Sequence, residues 1–253
     1  MRKPETKLAE ILEDLKENHH VTGVKAEFGS TTLEEALWLK WFATGAGLDF
    51  TVKISGCEAI EDIRRAKLIG VNAIVAPMIE SAYAAKKYIE SAKSIFDTHV
   101  KLFINIETQL GFHCLDEILN SPLAADLAGI VFGRTDMTGS LGMTCKNVNS
   151  RIILDFAREI ADKTLLHGKE LIIGGAVSPQ SLEFFREIPA LNGFETRKII
   201  FDAQKAANES GILKALEFER LWLEKKRRFY HSLSNEDMKR IEILEYRSRE
   251  LVL

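Results

Sequence analysis

The sequence predicts an α/β barrel, a ring of parallel strands wrapped by helices. Three observations predict it. Strand-like and helix-like segments alternate along most of the chain. Several strands are short and apolar on both faces, as strands buried between a barrel interior and covering helices must be. Charged residues stand at the C-terminal ends of otherwise apolar strands, which is where barrels place their sites. A length of 253 residues suits one such domain.

Each element follows from local pattern. Leu8, Ile11, Leu12 and Leu15 recur at helical spacing, giving an amphipathic helix over 5–18. A strand over 21–28 follows, and Gly29-Ser30-Thr31-Thr32 turns into a helix over 32–44 with threonine caps available. The next pairs are a strand over 50–54 with a helix over 58–69, ended by Gly70, then a strand over 72–77 with a helix over 80–96. A strand over 100–106 precedes a helix over 112–119. A short strand over 129–132 leads into a Gly- and Thr-rich loop, then a helix over 149–164. A strand over 171–174 is followed by Ser178-Pro179, a helix start with Ser as cap and Pro at the first position. The last strand covers 198–201. These make seven strands, so an eighth is expected near the N-terminus or the ring is incomplete. A doubly wound open sheet competes, but GxGxxG is absent after the first strand. Residues 1–205 are assigned to the barrel with its N-terminal helix. Residues 206–253, strongly charged and strandless, form a helical extension expected to pack on the barrel or on a neighbouring subunit. There Trp222, Phe229 and Tyr230 would anchor beside the run from Glu224 to Arg228, and Ser234-Asn235-Glu236-Asp237 resembles a capping box.

Composition removes several function classes. Net charge is −3 and the pI is near 6.1, so no global electrostatic case exists for nucleic acid. The three cysteines, Cys57, Cys114 and Cys145, show no CxxC spacing and fit free thiols in a reducing, cytoplasmic setting. The charged N-terminus does not read as a signal peptide, and no apolar run is long enough to span a bilayer.

Strand alternation sorts the charged residues. Lys25 and Glu27 share one face, Thr51, Lys53 and Ser55 another, and Phe103, Asn105 and Glu107 a third. Ionised groups are costly to bury unless paired or bound to metal. The bland account is an internal ion-pair network of Lys25, Glu27, Lys53 and Glu107. The chemical account adds Asp136, in the loop 132–142, to Glu107: two carboxylates with open positions suit Mg²⁺ or Mn²⁺. A 2-oxo acid would chelate such an ion, which would stabilise an enolate while a carbon–carbon bond is made or broken. Asp136 as a plain turn cap is the alternative. His113, at the start of the helix after the Glu107 strand, is expected at the surface or the pocket mouth.

Three stretches carry a resemblance: IVAPMIES at 74–81, INIETQLGFHCLDEIL at 104–119 and GIVFGRTDMTGSLGM at 129–143. Together, from about Val24 to Phe201, they resemble the HpcH/HpaI-type 2-keto-3-deoxy acid aldolases and citrate lyase β subunits, (β/α)₈ barrels of the phosphoenolpyruvate/pyruvate-binding superfamily. The resemblance implies a divalent metal, Mg²⁺ or Mn²⁺, on Glu107 and Asp136. It places Gly133 and Arg134, with Thr135 beside them, in the segment that closes over the keto acid, and Gln109 at a position facing the pocket. Lys53 falls where the family has an arginine on the keto-acid oxygen, and Glu27 where it has an acidic residue. It implies small-molecule partners, a 2-oxo acid with an aldehyde or thioester, and a homo-oligomer. Two departures stand out: Phe28 occupies the place of a family histidine, and Lys53 cannot make arginine's bidentate fork. The pattern also starts at the family's second strand, so the first is expected to be missing or modified.

The expected activity is a metal-dependent lyase or aldolase acting on a pyruvate-like acid, with Lys53, Glu27 and Lys25 as catalytic groups. Competing activities are citrate-lyase-like thioester cleavage, a Schiff-base aldolase using Lys53 or Lys25, a sugar-phosphate barrel enzyme, and a non-catalytic scaffold on a degenerate barrel.

Overall fold

A computed structural model describes residues 4–97, 99–206 and 208–249. Eight strands close into a barrel: β1 (Val21–Glu27), β2 (Asp49–Lys53), β3 (Ala73–Ala76), β4 (Lys101–Ile106), β5 (Gly129–Gly133), β6 (Glu170–Gly174), β7 (Gly193–Glu195) and β8 (Ile199–Asp202). Neighbours from β1 to β7 run parallel, whereas β8 runs antiparallel to both β7 and β1. The ring therefore closes with a hairpin in place of a last crossover helix.

That hairpin answers the strand count. The first strand is in place, and the eighth is Gly193-Phe194-Glu195, too short to announce itself by alternation. The modification lies at the end of the ring instead of its start. Phe185, Phe194 and Phe201 stack successively at 4.8 and 4.7 Å and fix the hairpin against the helix before it.

The helices are α1 (Pro4–His19), α2 (Leu33–Gly45), α3 (Ile60–Ile69), α4 (Ala82–Ile95), α5 (Gln109–His113), α6 (Leu115–Leu119), α7 (Arg134–Ser140), α8 (Arg151–Leu166), α9 (Ser181–Arg186), α10 (Glu209–Tyr230) and α11 (Asn235–Arg249). Thr32 caps α2 in a full capping box with Glu35, Ser81 caps α4, and left-handed Gly70 ends α3. Three expectations are corrected. The segment 112–119 is two short helices broken at Cys114, and the Gly- and Thr-rich loop begins as helix α7. Ser178-Pro179 forms a turn ahead of α9 and does not cap it.

The apolar face of α1, through Leu8, Leu12 and Leu15, is fully buried, with α10 packed along it. From α10 the chain turns back at left-handed His231, and Ser234 Oγ accepts the Asp237 amide at the start of α11. α11 then lies across the C-terminal rim of the parallel strands, where Arg240 and Arg247 reach the cavity. No described helix is long and apolar enough to cross a membrane.

Candidate active site

Because seven strands are parallel, their C-terminal ends share one rim. Glu27, Lys53, Gly133 and Glu195 are the last residues of β1, β2, β5 and β7, and Glu107 follows β4 by one residue. They line a cavity of about 240 Å³ with Lys25, Asn105, Thr135 and Asp136.

Glu107 is the most constrained side chain there, only 2% exposed. Its carboxylate accepts hydrogen bonds from Asn105 Nδ2 at 2.7 Å and from the Met78 backbone N–H at 3.0 Å, and Lys53 Nζ stands 3.3 Å away. Met78 has φ = 50°, an uncommon conformation for a side chain of its size, and this turn aims its amide at Glu107. Gly133 is required by contact: a Cβ there would sit 2.6 Å from Glu107 Oε2 and 2.8 Å from its Cβ. Asp136, on the first turn of α7, faces this carboxylate. Burial, and then the charge of Glu107, push the Asp136 carboxyl up to about 6, against the pull of Lys53. Asn105 Oδ1 is buried without a hydrogen-bond partner beside the pair.

The opposite wall is different. Lys25 is buried and bonded to Glu195, with Glu27 at 3.8 Å, and Arg197 Nε stands 3.3 Å from Glu27. Burial disfavours both charges, yet Glu195 and Glu27 leave Lys25 raised, while Lys25 and Arg197 leave Glu27 lowered. Both therefore stay ionised at neutral pH. Paired with Glu195 and Glu27, Lys25 lacks the lowered pKa that a Schiff-base lysine needs. The ion-pair account expected from sequence fits this wall, with Glu195 and Arg197 as members that the charged run Glu195-Thr196-Arg197-Lys198 could have signalled.

The structure brings Glu107, Asp136, Lys53, Glu27, Lys25, Gly133 and Thr135 to one cavity, and two expected contacts are not among them. The Arg134 side chain is fully buried and turned away from the cavity. It donates to Gly174 O at 3.0 Å, Gly175 O at 2.8 Å and Asn149 Oδ1 at 2.6 Å, between the Phe184 and Phe185 rings. It pins the β6–α9 turn against the start of α7, so that position offers substrate only its backbone. Gly175 takes φ = 88° in this turn, and a Cβ on it would meet Thr135 N at 2.6 Å. Gln109 also lies off the cavity, its side-chain amide donating to Ser140 O at 2.6 Å. His113 Nδ1 sits 2.6 Å from Gln109 O, at the surface.

Residues 44–172, just over half of the chain, match the HpcH/HpaI aldolase/citrate lyase family. The chain belongs to that family. Solved structures share its fold. The crystal structure of an HpcH/HpaI aldolase from Desulfitobacterium hafniense DCB-2 matches at 12% identity and TM-score 0.59, covering 90% of each chain. The citrate synthase SbnG matches at 15% identity and TM-score 0.58, over 87% of this chain and 89% of SbnG. A family protein from Burkholderia cenocepacia J2315 matches at 14% identity and TM-score 0.52, over 74% and 91%. No curated protein sequence matches the chain. Family membership makes the chain one of the aldolases and lyases, with the closed barrel those structures share.

Proposed function

We propose that the chain is a divalent-metal-dependent carbon–carbon lyase acting on a pyruvate-like 2-oxo acid. The observation that carries this reading is the Glu107–Asp136 pair with the unpartnered oxygen of Asn105 beside it. All three offer hard oxygen donors, the chemistry that suits Mg²⁺ or Mn²⁺. Two carboxylates in proximity also repel, which adds to burial in raising the Asp136 carboxyl, and a dication would relieve that repulsion. Among the described residues no third His, Cys, Asp or Glu joins them, so water and substrate would have to complete the coordination of an ion. A bound ion would polarise the keto oxygen and stabilise the charge that develops when the carbon–carbon bond breaks.

The chain's own residues supply the rest. Asn105 and the Met78 amide hold Glu107 in one orientation. Lys53 keeps its ammonium at the edge of the pair, placed to donate to an oxygen gaining charge. Glu27 is the nearby carboxylate able to take a proton, its basicity held down by Lys25 and Arg197. Gly133 keeps the floor flat beside Glu107, and Thr135 borders the space the acid would fill.

The test is calorimetric titration with Mg²⁺ or Mn²⁺, with and without oxalate or pyruvate. Tighter metal binding in the presence of the oxyacid supports the shared site. No metal binding in either case would sink the proposal. The same reading places the enzyme in the cytoplasm as a homo-oligomer. Its support is the free thiols and the apolar surface at Leu37, Trp41 and Phe229. Light scattering that found a monomer at every concentration would remove the oligomer.

A further inference from the structure

α11 contributes more than a cover. Arg240 and Arg247 are seven residues apart, hence on one face of the helix. Both line the mouth cavity, and both line a second cavity of about 640 Å³ beneath α11. Thr135 and Ala176 also belong to both, so the two spaces meet where the start of α7, the turn after β6 and the two arginines converge. The larger space is walled by Val148, Ile243 and Tyr246 together with polar groups, and the acid on its lining is exposed Glu242. The small cavity suits the 2-oxo acid end of a substrate. The larger one, adjoining it at Thr135 and Ala176, offers room for the remainder.

The junction is cationic. Arg240 Nη2 donates to Glu219 Oε2 at 2.8 Å, and its Nε is buried without a partner. Arg247 donates to Val177 O. Both guanidiniums act on the single buried Glu219, which burial would raise but which they hold at about 2. A guanidinium N–H buried without an acceptor beside a second arginine favours an anion at the junction.

We propose that this junction is a subsite for an anionic group, carboxylate or phosphate, on the part of the substrate that is not the pyruvate-like half, with Arg240 and Arg247 as the residues that select it. The inference rests on the proposed 2-oxo acid chemistry. It is tested by calorimetric binding to the full chain with excess Mn²⁺, using acids matched in length: 2-oxoglutarate against 2-oxopentanoate, and 2-oxoadipate against 2-oxohexanoate. The doubly anionic acid of at least one pair should bind about tenfold tighter or more. Arg240→Gln should lower that ratio about fivefold or more, and Arg240→Lys should keep most of it. In 2-oxo-4-phosphonobutanoate, tighter binding than 2-oxoglutarate assigns the subsite to phosphate and weaker binding assigns it to carboxylate. A ratio near one at both lengths, or one that survives both Arg240→Gln and Arg247→Gln, would overturn the subsite alone. Equal weakening of both acids in a pair would make the arginines structural and overturn it as well. If no 2-oxo acid binds, with or without Mn²⁺, the proposed function fails and the subsite falls with it.

Discussion

The two walls of the barrel mouth carry similar residues in opposite electrostatic states. On the β1–β7 wall every charge has a near partner: Lys25 with Glu195, and Glu27 with Lys25 and Arg197. On the β4–β5 wall Glu107 and Asp136 share Lys53, which stands on Glu107, and the Asp136 carboxyl is displaced up to about 6. The first wall has reached electrostatic closure. The second has not, and an uncompensated pair in a cleft is where a ligand gains most. The difference separates a structural network from a candidate reaction centre more sharply than residue type does.

The largest effect should come from breaking the open wall. Glu107→Gln or Asp136→Asn should lower metal-dependent turnover on the order of a thousandfold, with the circular dichroism spectrum unchanged. Full activity in either variant would mean that the centre lies elsewhere. On the closed wall the same kind of change should cost stability. Glu195→Gln leaves buried Lys25 with Glu27 at 3.8 Å as its remaining ion-pair partner among the described residues, a loss of about 3 kcal/mol in urea unfolding. If Glu195→Gln proves neutral in stability, the two walls do not differ as described.

Gly133→Ala tests the join between packing and chemistry. The added methyl would meet Glu107 at 2.6–2.8 Å, a contact the fixed carboxylate cannot yield without moving. Stability should fall by about 1–3 kcal/mol. Metal affinity should fall by roughly 10–100-fold, as for loss of a group that orients a ligand. Unchanged metal affinity in Gly133→Ala would show that Glu107 does not need its present orientation.

The sequence made one wall more legible than the other. Alternation put Asn105 and Glu107 on one face, and the strand ends put Lys53 and Glu27 on one rim, because parallel strands give every C-terminal end the same address. Pattern could not see what depends on turns or distant helices. Strand β7 has three residues, too few for a period, so alternation does not single out Glu195. Arg134 sits beside the site in sequence but spends its guanidinium on Gly174, Gly175 and Asn149, a direction set by the fold of the β6–α9 turn. Gln109 is drawn off by Ser140. Arg240 and Arg247 lie more than 100 residues from Asp136, in a tail whose charges resemble any solvated helix, and only the reversal at His231 brings them to the rim.

The smallest effect is also the most specific to the open wall. The folded pKa of Asp136, about 6, lies above its ordinary 3.8. Between those values the folded protein binds more protons than the unfolded chain, so stability falls as pH rises through this window. In chelator, Asp136→Asn should therefore melt above wild type at pH 7, by roughly 1–3 °C once solvent screening of this half-open site is allowed for. The advantage should vanish below about pH 4, where the wild-type carboxyl is protonated in both states. Excess Mn²⁺ should reverse the order at pH 7, since only wild type keeps both carboxylates for the ion. A variant no more stable than wild type in chelator at pH 7 would mean that Lys53 already balances the pair, and the contrast between the two walls would be gone.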